Sequence, residues 1–167
     1  MHDLASSKYE ANILKFIWLK DRNAYLYESE RSLYFTNLDD NSKSMILNIS
    51  LVENREGMKM DGYFVSPDAK YVLFYTNFER IYRYSFKADY HLYSLSNNSL
   101  QALSSDKQGF TNALFSPDSQ KIAFVYNNNI YLRNLETGEE MEVTSGDESI
   151  KNGIQSWVKK KQQNNSL

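Results

Sequence analysis

Few residues of this chain have the types and spacing that catalysis requires. The chain contains no cysteine, and its two histidines are His2 and His91, which excludes a cysteine–histidine zinc cluster. None of its six glycines lies four residues from another, so the Gly-x-Ser-x-Gly turn that presents a nucleophilic serine does not occur. A glycine-rich phosphate-binding loop is also missing. The sequence therefore predicts no catalytic residue, no metal site and no cofactor.

The remaining candidates for chemistry are two acidic pairs and one histidine. Asp39-Asp40 and Glu139-Glu140 lie in predicted turns, where adjacent carboxylates usually face water. His91 lies in a predicted strand with no second histidine nearby. We expect a packed or half-exposed imidazole at that position, and we assign no catalytic role to these groups.

Three Asn-x-Ser triplets have the pattern of N-linked glycan acceptors. They begin at Asn48, Asn97 and Asn164, and the first two fall in predicted turns between strands, where a glycan has room. Because the chain is rich in Asn and Ser, chance explains such triplets about as well. Asn48 and Asn97 are the two candidate glycosylation sites.

The elements that would position any site are indicated by a repeat. Phe64-Val65-Ser66-Pro67-Asp68 and Leu114-Phe115-Ser116-Pro117-Asp118 share one pattern, and an apolar run follows each copy after a few polar residues. Successive Ser, Pro and Asp residues favour a type I turn, and the residue before proline is extended. Each copy therefore predicts two strands joined by a tight turn.

Other repeated strands extend this pattern over most of the chain. Alternating apolar and polar residues indicate half-buried strands at residues 32–38, 90–95 and 129–135. Residues 16–21 take the place of the Ser-Pro-Asp hairpin in a first, degenerate copy. The sequence thus predicts three four-stranded units, at about residues 13–55, 60–105 and 108–150. Repeated four-stranded sheets near this period are typical of a β-propeller.

The predicted fold class is therefore all-β, a partial β-propeller of about three antiparallel blades. Propellers usually contain about four to eight blades, so we expect the chain to be part of a larger one. Residues 1–12 are predicted to be an N-terminal extension, 13–155 the partial propeller and 156–167 a polar, disordered tail. Open blade edges would favour self-association.

Charge and hydropathy exclude several classes of protein. The net charge is −2 and the isoelectric point is near 5.7, so no positive field attracts nucleic acid. No apolar run approaches the roughly 20 residues of a membrane span. The polar residues at the start of the chain also lack the apolar core of a signal peptide.

Two segments are more distinctive than the hairpins. In the first, Arg83-Tyr84-Ser85-Phe86 precedes the strand Tyr90-His91-Leu92-Tyr93, and the second is Asn152-Gly153-Ile154-Gln155-Ser156-Trp157-Val158. Both segments, at this separation, resemble the N-terminal propeller of the dipeptidyl peptidase IV family. The resemblance extends from about residue 13 to residue 158, which is nearly the whole chain.

The resemblance implies a two-part serine exopeptidase. In this family an eight-bladed propeller covers an α/β-hydrolase domain, and the enzyme releases dipeptides from N-termini with Pro or Ala in second position. The catalytic Ser, Asp and His belong to the hydrolase domain. We therefore expect this chain to be an N-terminal propeller fragment that is inactive alone. The parent enzyme would be a type II plasma-membrane protein or a secreted protein, whereas the compartment of this chain is open.

Two substrate contacts of the family come from the propeller. One is an arginine that donates hydrogen bonds to a substrate carbonyl, and it matches Arg83. An arginine packed over aromatic neighbours is the alternative interpretation of Arg83. The other is a Glu-Glu pair that binds the substrate ammonium, and its positions fall on Lys161 and Gln162. A cation repels an ammonium group, so the second contact does not transfer to this chain.

Two other functions remain open. The chain could be a non-catalytic binding module or partner subunit, related to inactive members of the family. It could also be a generic propeller scaffold, although the two distinctive segments argue against that interpretation. The sequence predicts a peptide substrate as a partner only in the complete enzyme.

Overall fold

The computed structural model describes residues 16–19, 22–81, 86–146 and 150–153. Within these ranges the chain forms twelve strands and one helix. It divides into two compact units, Met1–Arg55 and Glu56–Leu167. The whole of the predicted N-terminal extension and of the predicted C-terminal tail lies outside the described residues, and the predicted domain limits stay predictions.

The first unit contains one four-stranded antiparallel sheet in the order β1-β2-β3-β4. Its strands are β1 (Phe16–Leu19), β2 (Ala24–Ser29), β3 (Ser32–Asn37) and β4 (Lys43–Asn48). Neighbouring strands are joined by short connections, so each strand pairs with the next one in the chain. This is the first meander, and its four strands agree with the predicted first blade.

A short helix, α1 (Ile49–Glu56), follows the first meander. The all-β prediction missed this helix. The Asn48 side chain accepts a hydrogen bond from the Leu51 amide at 3.0 Å, as an N-cap residue does, and Gly57 after the helix has a φ of +66°, which suits a C-terminal cap. No helix formed by the described residues is long and apolar enough to cross a membrane.

The second unit contains two further four-stranded meanders. The second meander is β5 (Gly62–Val65), β6 (Tyr71–Arg80), β7 (Phe86–Ser94) and β8 (Ser99–Ala102), and the third is β9 (Phe110–Phe115), β10 (Lys121–Tyr126), β11 (Asn129–Asn134) and β12 (Glu140–Glu142). Strands β7 and β9 also pair over two residues, which joins both meanders into one eight-stranded sheet. The strand pattern confirms the prediction of repeated four-stranded antiparallel sheets.

The Ser-Pro-Asp segments form the predicted turns. The Ala69 amide donates to the Ser66 carbonyl at 2.9 Å, and the Ser119 amide donates to the Ser116 carbonyl at the same distance. Ser66 Oγ also donates to Asp68 Oδ1 at 2.7 Å, so a hydrogen bond between these two side chains stabilises the turn. The Asp68 amide donates to Ser119 Oγ at 3.0 Å, and this bond connects the turns of the second and third meanders.

The core of the second unit lies where the second and third meanders pack together. Alternate side chains of neighbouring strands face this core, as a half-buried sheet requires. Its buried members are Leu73, Ala88, Tyr90, Leu92, Leu103, Phe110, Ala113, Ile122 and Phe124. Phe110 contacts Phe124 edge to face, with ring centroids 5.1 Å apart. The core therefore holds β7 and the strands next to it rigidly in place.

Candidate functional site

The candidate site is the outer part of the hairpin formed by β6 and β7. Arg83, the predicted substrate contact, lies outside the described residues. The described residues on either side of it, Arg80 and Phe86, are paired, and Glu79 pairs with Lys87. We call residues 77–80 and 86–89 the hairpin extension. This extension is the part of the structure from which the chain continues to Arg83.

A β-bulge separates the hairpin extension from the rest of the sheet. Thr76 pairs with Asp89, but the next pair is Glu79 with Lys87, so β6 contains one more residue than β7 in this interval. Asn77 within the bulge has a φ of +54°, in the left-handed region that asparagine tolerates better than most residues. Because a bulge bends its strand and increases the local twist, the bulge sets the direction of the extension.

Two aspartates hold the bulge by accepting hydrogen bonds. Asn77 Nδ2 donates to Asp89 Oδ2 at 2.7 Å, and the Phe78 amide donates to Asp61 Oδ2 at 3.0 Å. The other carboxylate oxygen of Asp89 accepts a hydrogen bond from the Gly109 amide at 2.7 Å. Asp89 thus connects the bulge to the chain that enters β9.

An aromatic cluster supports the extension from its other side. The ring centroids of Phe78 and Phe86 lie 4.9 Å apart, and those of Tyr75 and Phe86 lie 5.3 Å apart. Tyr75 also contacts Phe64 and Tyr90. The ring of Tyr75 covers Gly62 on the neighbouring strand, where a Cβ atom would lie 2.2 Å from Tyr75 Oη. Burial, followed by the charge of Asp61, raises the pKa of Tyr75.

A groove of about 1050 Å³ lies along the bulge, and its mixed polar and apolar lining includes the side chains of Asp61, Asp89, His91 and Lys107. His91 is half-buried, as predicted, and its Nε2 lies 3.2 Å from Thr76 Oγ1. Burial lowers the pKa of His91 below its ordinary value, and the negative charge of Asp89 only partly opposes this effect, so the neutral imidazole is favoured. Within the described ranges, no three His, Asp or Glu side chains are arranged to hold a metal ion.

The structure explains the start of the second distinctive segment. The Asn152 amide donates to the Asn128 carbonyl at 2.9 Å, and Asn112 Nδ2 donates to the Gly153 carbonyl at 3.2 Å. Gly153 has a φ of +70°, and a Cβ atom there would lie 2.6 Å from Val125 Cγ2. Glycine is thus required for both backbone conformation and space. The rest of the segment, residues 154–158, lies outside the described residues.

The two candidate glycosylation residues differ in their surroundings. Asn48 was predicted to lie in a turn, but it is the last residue of β4 and caps α1. Asn97 lies in the turn between β7 and β8 and is exposed. Its Oδ1 accepts a hydrogen bond from Ser99 Oγ at 2.7 Å, so the asparagine and hydroxyl of the triplet are in contact. Asn97 is therefore the more accessible candidate.

The two acidic pairs differ in their exposure to solvent. Asp39 and Asp40 are exposed, as expected for a turn. Glu140 instead begins β12, and its Oε2 accepts hydrogen bonds from Lys107 Nζ at 3.1 Å and Ser104 Oγ at 3.0 Å. The expectation that this pair faces water was wrong for Glu140, because its partners come from a segment more than thirty residues earlier. Local sequence could not show that contact.

Comparison with known proteins identifies relatives that match most of the chain. Residues 66–162 match the family described as the dipeptidyl peptidase IV (DPP IV) N-terminal region. Dipeptidyl peptidase 4 of Sus scrofa is 30% identical over 161 residues, which cover 93% of this chain and 20% of that protein. Prolyl endopeptidase FAP of Mus musculus is 30% identical over 144 residues, or 84% of this chain and 18% of that protein.

The fold is also found in a solved structure. The crystal structure of Porphyromonas gingivalis dipeptidyl peptidase 4 has a TM-score of 0.68 and 24% sequence identity, and the similarity covers 79% of this chain and 19% of that chain. This likeness confirms the predicted partial β-propeller. The chain spans about a fifth of the length of the curated relatives it matches. Since the family match covers more than half of the sequence, the chain belongs to the dipeptidyl peptidase IV N-terminal region family.

Proposed function

We propose that this chain supplies three blades of the propeller of a dipeptidyl peptidase-type serine exopeptidase. The enzyme would release dipeptides from N-termini with Pro or Ala in second position. The observation that carries the proposal is the family match over residues 66–162, which includes Arg83 and the hairpin extension. The catalytic Ser, Asp and His would come from a hydrolase domain, so this chain contributes to proteolysis by binding the peptide.

Arg83 is the residue to which we assign the peptide contact. A guanidinium group presents several N–H donors in a planar fork, so it fixes the orientation of an accepting carbonyl better than a lysine ammonium does. The bulge and the aromatic cluster support the proposal, because they restrain the hairpin extension on both sides of position 83. An arginine used only for surface packing would need no such support.

The substrate ammonium would be bound differently from the family pattern. The positions of the family's Glu-Glu pair are occupied by Lys161 and Gln162. Neither residue offers the negative charge that stabilises an ammonium group. We expect the peptide N-terminus to rely on carboxylates elsewhere in the complete protein, and a substrate with a blocked N-terminus should lose less affinity than in a pair-bearing relative.

The experiment is to isolate the native protein with antibodies raised against this chain. The isolated protein is then assayed with Ala-Pro and Gly-Pro nitroanilides and labelled with a serine-directed fluorophosphonate. The proposal expects X-Pro hydrolysis and labelling to copurify with the antigen, and both to be lost after immunodepletion. Antigen that is recovered intact without either signal would overturn the proposal in favour of a binding function.

An extracellular location follows from the proposed enzyme, which would be anchored in the plasma membrane or secreted. Asn97 would then carry an N-linked glycan, because its triplet is exposed in a turn. Removing glycans enzymatically should increase the gel mobility of the native protein, and the untreated Asn97→Gln variant should show a part of that increase. An unchanged mobility in both cases would contradict this part of the proposal.

A second candidate function is binding of another copy of the chain through the first meander. One face of this sheet carries an aromatic surface formed by Phe16, Trp18, Tyr25, Tyr27, Tyr34 and Met45. Trp18 is 69% exposed and Phe16 is 52% exposed. Exposed apolar surfaces of this kind often mark protein interfaces.

Light scattering after size-exclusion chromatography tests this second candidate. Self-association through the aromatic surface predicts a mass that rises with concentration and returns to that of one chain in Trp18→Lys. A matched control is Leu51→Lys, which adds the same charge at an exposed helix position. A wild-type chain that stays monomeric at all concentrations would exclude the interface.

A further inference from the structure

We propose that the second unit binds a small aromatic molecule that carries a carbonyl group. The site is a cavity of about 420 Å³ lined by residues of the second and third meanders, which we call the apolar cavity. The rings of the cavity would contact the aromatic part of the ligand, and the Tyr90 hydroxyl would donate a hydrogen bond to its carbonyl oxygen. The inference goes beyond the proposed function, because it involves neither a peptide nor a catalytic group.

The first argument is the size and lining of the apolar cavity. Ligand cavities typically measure about 300–1,000 Å³ and have mostly apolar walls with few polar groups, and an apolar cavity of roughly 150 Å³ already holds benzene. Leu114 on one wall is 63% exposed, so a ligand can enter from solvent on this side. Aromatic rings pack favourably against one another, which favours an aromatic ligand here. The apolar side chains of the lining include Phe64, Phe86, Ala113, Leu114, Phe124 and Val125.

The second argument is a polar group buried in this apolar lining. Tyr90 lines the apolar cavity and is only 1% exposed. Its hydroxyl is buried and has no hydrogen-bond partner within the described part of the chain. An unpaired buried donor is unfavourable, so the carbonyl oxygen of a ligand would supply the missing acceptor. Burial also raises the pKa of Tyr90, so the hydroxyl keeps its proton and can donate.

The third argument is that the tyrosine is held in a fixed position. Tyr90 pairs with Tyr75 of β6, and the centroids of these two rings lie 6.0 Å apart. The ring of Phe110 contacts Tyr90 from the third meander, with centroids 6.2 Å apart. Because contacts from both meanders restrain the ring, the hydroxyl is positioned before any ligand arrives, which lowers the entropic cost of binding.

The wall formed by β9 has an irregular backbone beside the apolar cavity. The register between β9 and β10 shifts at Asn112, which has a φ of +59° and lines the cavity. Its Nδ2 donates to the Gly153 carbonyl at 3.2 Å. Bulges and left-handed conformations of residues other than glycine cost free energy and concentrate at binding sites. This strain is therefore a further observation that favours a ligand site.

Two probes of nearly the same shape isolate the contribution of the hydroxyl. Acetophenone has a carbonyl group where ethylbenzene has a methylene group. The dissociation constants of both probes are measured by NMR titration of the full 167-residue chain and of Tyr90→Phe. This variant removes only an unpaired hydroxyl and keeps the ring, so it should fold. We expect the constant for acetophenone to rise roughly fivefold in Tyr90→Phe, and that for ethylbenzene to stay the same.

A matched pair of variants locates the site, because Tyr90 also lines the groove along the bulge. Ala123 lines the apolar cavity but not this groove, whereas Ala102 lines the groove but not the cavity. Ala123→Leu should fill part of the cavity and weaken the binding of both probes roughly tenfold. Ala102→Leu adds the same side chain and should leave both dissociation constants unchanged.

Four results would overturn the inference. The first is that neither probe shifts the resonances of residues that line the apolar cavity. The second is that Tyr90→Phe weakens the binding of both probes equally or of neither. The third is that Ala102→Leu weakens binding and Ala123→Leu does not, which would place the ligand in the groove. If Tyr90→Phe does not fold, the alanine variants decide alone, and equal effects of the two would be the fourth. None of these results bears on the proposed function, which depends on X-Pro hydrolysis by the complete enzyme.

Discussion

Adding a single methyl group at Gly62 tests the packing that supports the candidate site. An alanine Cβ there would lie 2.2 Å from Tyr75 Oη and 2.4 Å from its Cζ, well inside van der Waals contact. Movement of the ring is restricted by its contacts with Phe64, Phe78, Phe86 and Tyr90. Gly62 does not have a left-handed φ, so alanine adds no backbone strain and the effect is purely steric.

The expected cost of Gly62→Ala follows from this overlap. Overpacking a formed core typically costs about 1–3 kcal/mol, and a clash with two atoms of a restrained ring should cost about 2 kcal/mol within that range. For a chain of this size, such a loss lowers the midpoint of thermal unfolding by roughly 4–8 °C. The measurement is thermal unfolding of the whole chain, followed by circular dichroism and repeated in urea.

Two further variants make the result decisive. Replacing Tyr75 with leucine removes the clashing atoms, so the double variant Gly62→Ala/Tyr75→Leu should be more stable than the sum of the single effects predicts. Gly146→Ala is the control, because its added Cβ would approach no atom closer than 3.4 Å and should change stability by less than about 0.5 kcal/mol. If Gly62→Ala unfolds like the control, or if the double variant shows no coupling, the packing argument is refuted.

Three other predictions concern the second unit. Ser119→Ala should destabilise it by about 1–2 kcal/mol in urea unfolding, because the Asp68 amide loses its acceptor. Burial holds the pKa of His91 below its usual value in the native state, so the unfolded chain binds a proton more readily than the folded one. The free energy of unfolding should therefore decrease as the pH falls below about 6.5. Measured from pH 7.5 to 5.5, it should decrease less in His91→Gln than in the wild type. Gly153→Ala should unfold at a lower temperature than the wild type, because alanine would be strained at the positive φ of this residue and its Cβ would lie 2.6 Å from Val125 Cγ2.

Local chemistry accounts for the parts of the fold that could be predicted from sequence. The Ser66 and Ser116 turns form as expected because serine, proline and aspartate within four residues supply both the backbone restraint and the acceptor. The four-stranded repeat was likewise predictable, because alternating strands joined by short turns pair with their neighbours. In contrast, α1 was missed because Asn48 was interpreted as a turn residue of a glycosylation triplet, although the same side chain caps a helix.

The assignment of Arg83 stays a prediction, because this residue lies outside the described residues. Arg83 was identified through a family resemblance, but nothing in the sequence indicated the bulge at Asn77, whose acceptor Asp89 lies twelve residues away on another strand. The role of Asp61 depends on a contact across seventeen residues. The requirement for glycine at position 153 depends on Val125. Such contacts arise from tertiary structure, so a pattern read along the chain does not contain them.

The most direct test of the central claim is the KM of the complete native enzyme for an Ala-Pro nitroanilide after Arg83→Lys. Lysine keeps the positive charge but not the planar fork. The account predicts that KM rises roughly tenfold or more, while Arg80→Lys, at the last described residue of β6, leaves it unchanged. Equal KM values for the wild type and Arg83→Lys would contradict the claim that this chain holds the peptide substrate.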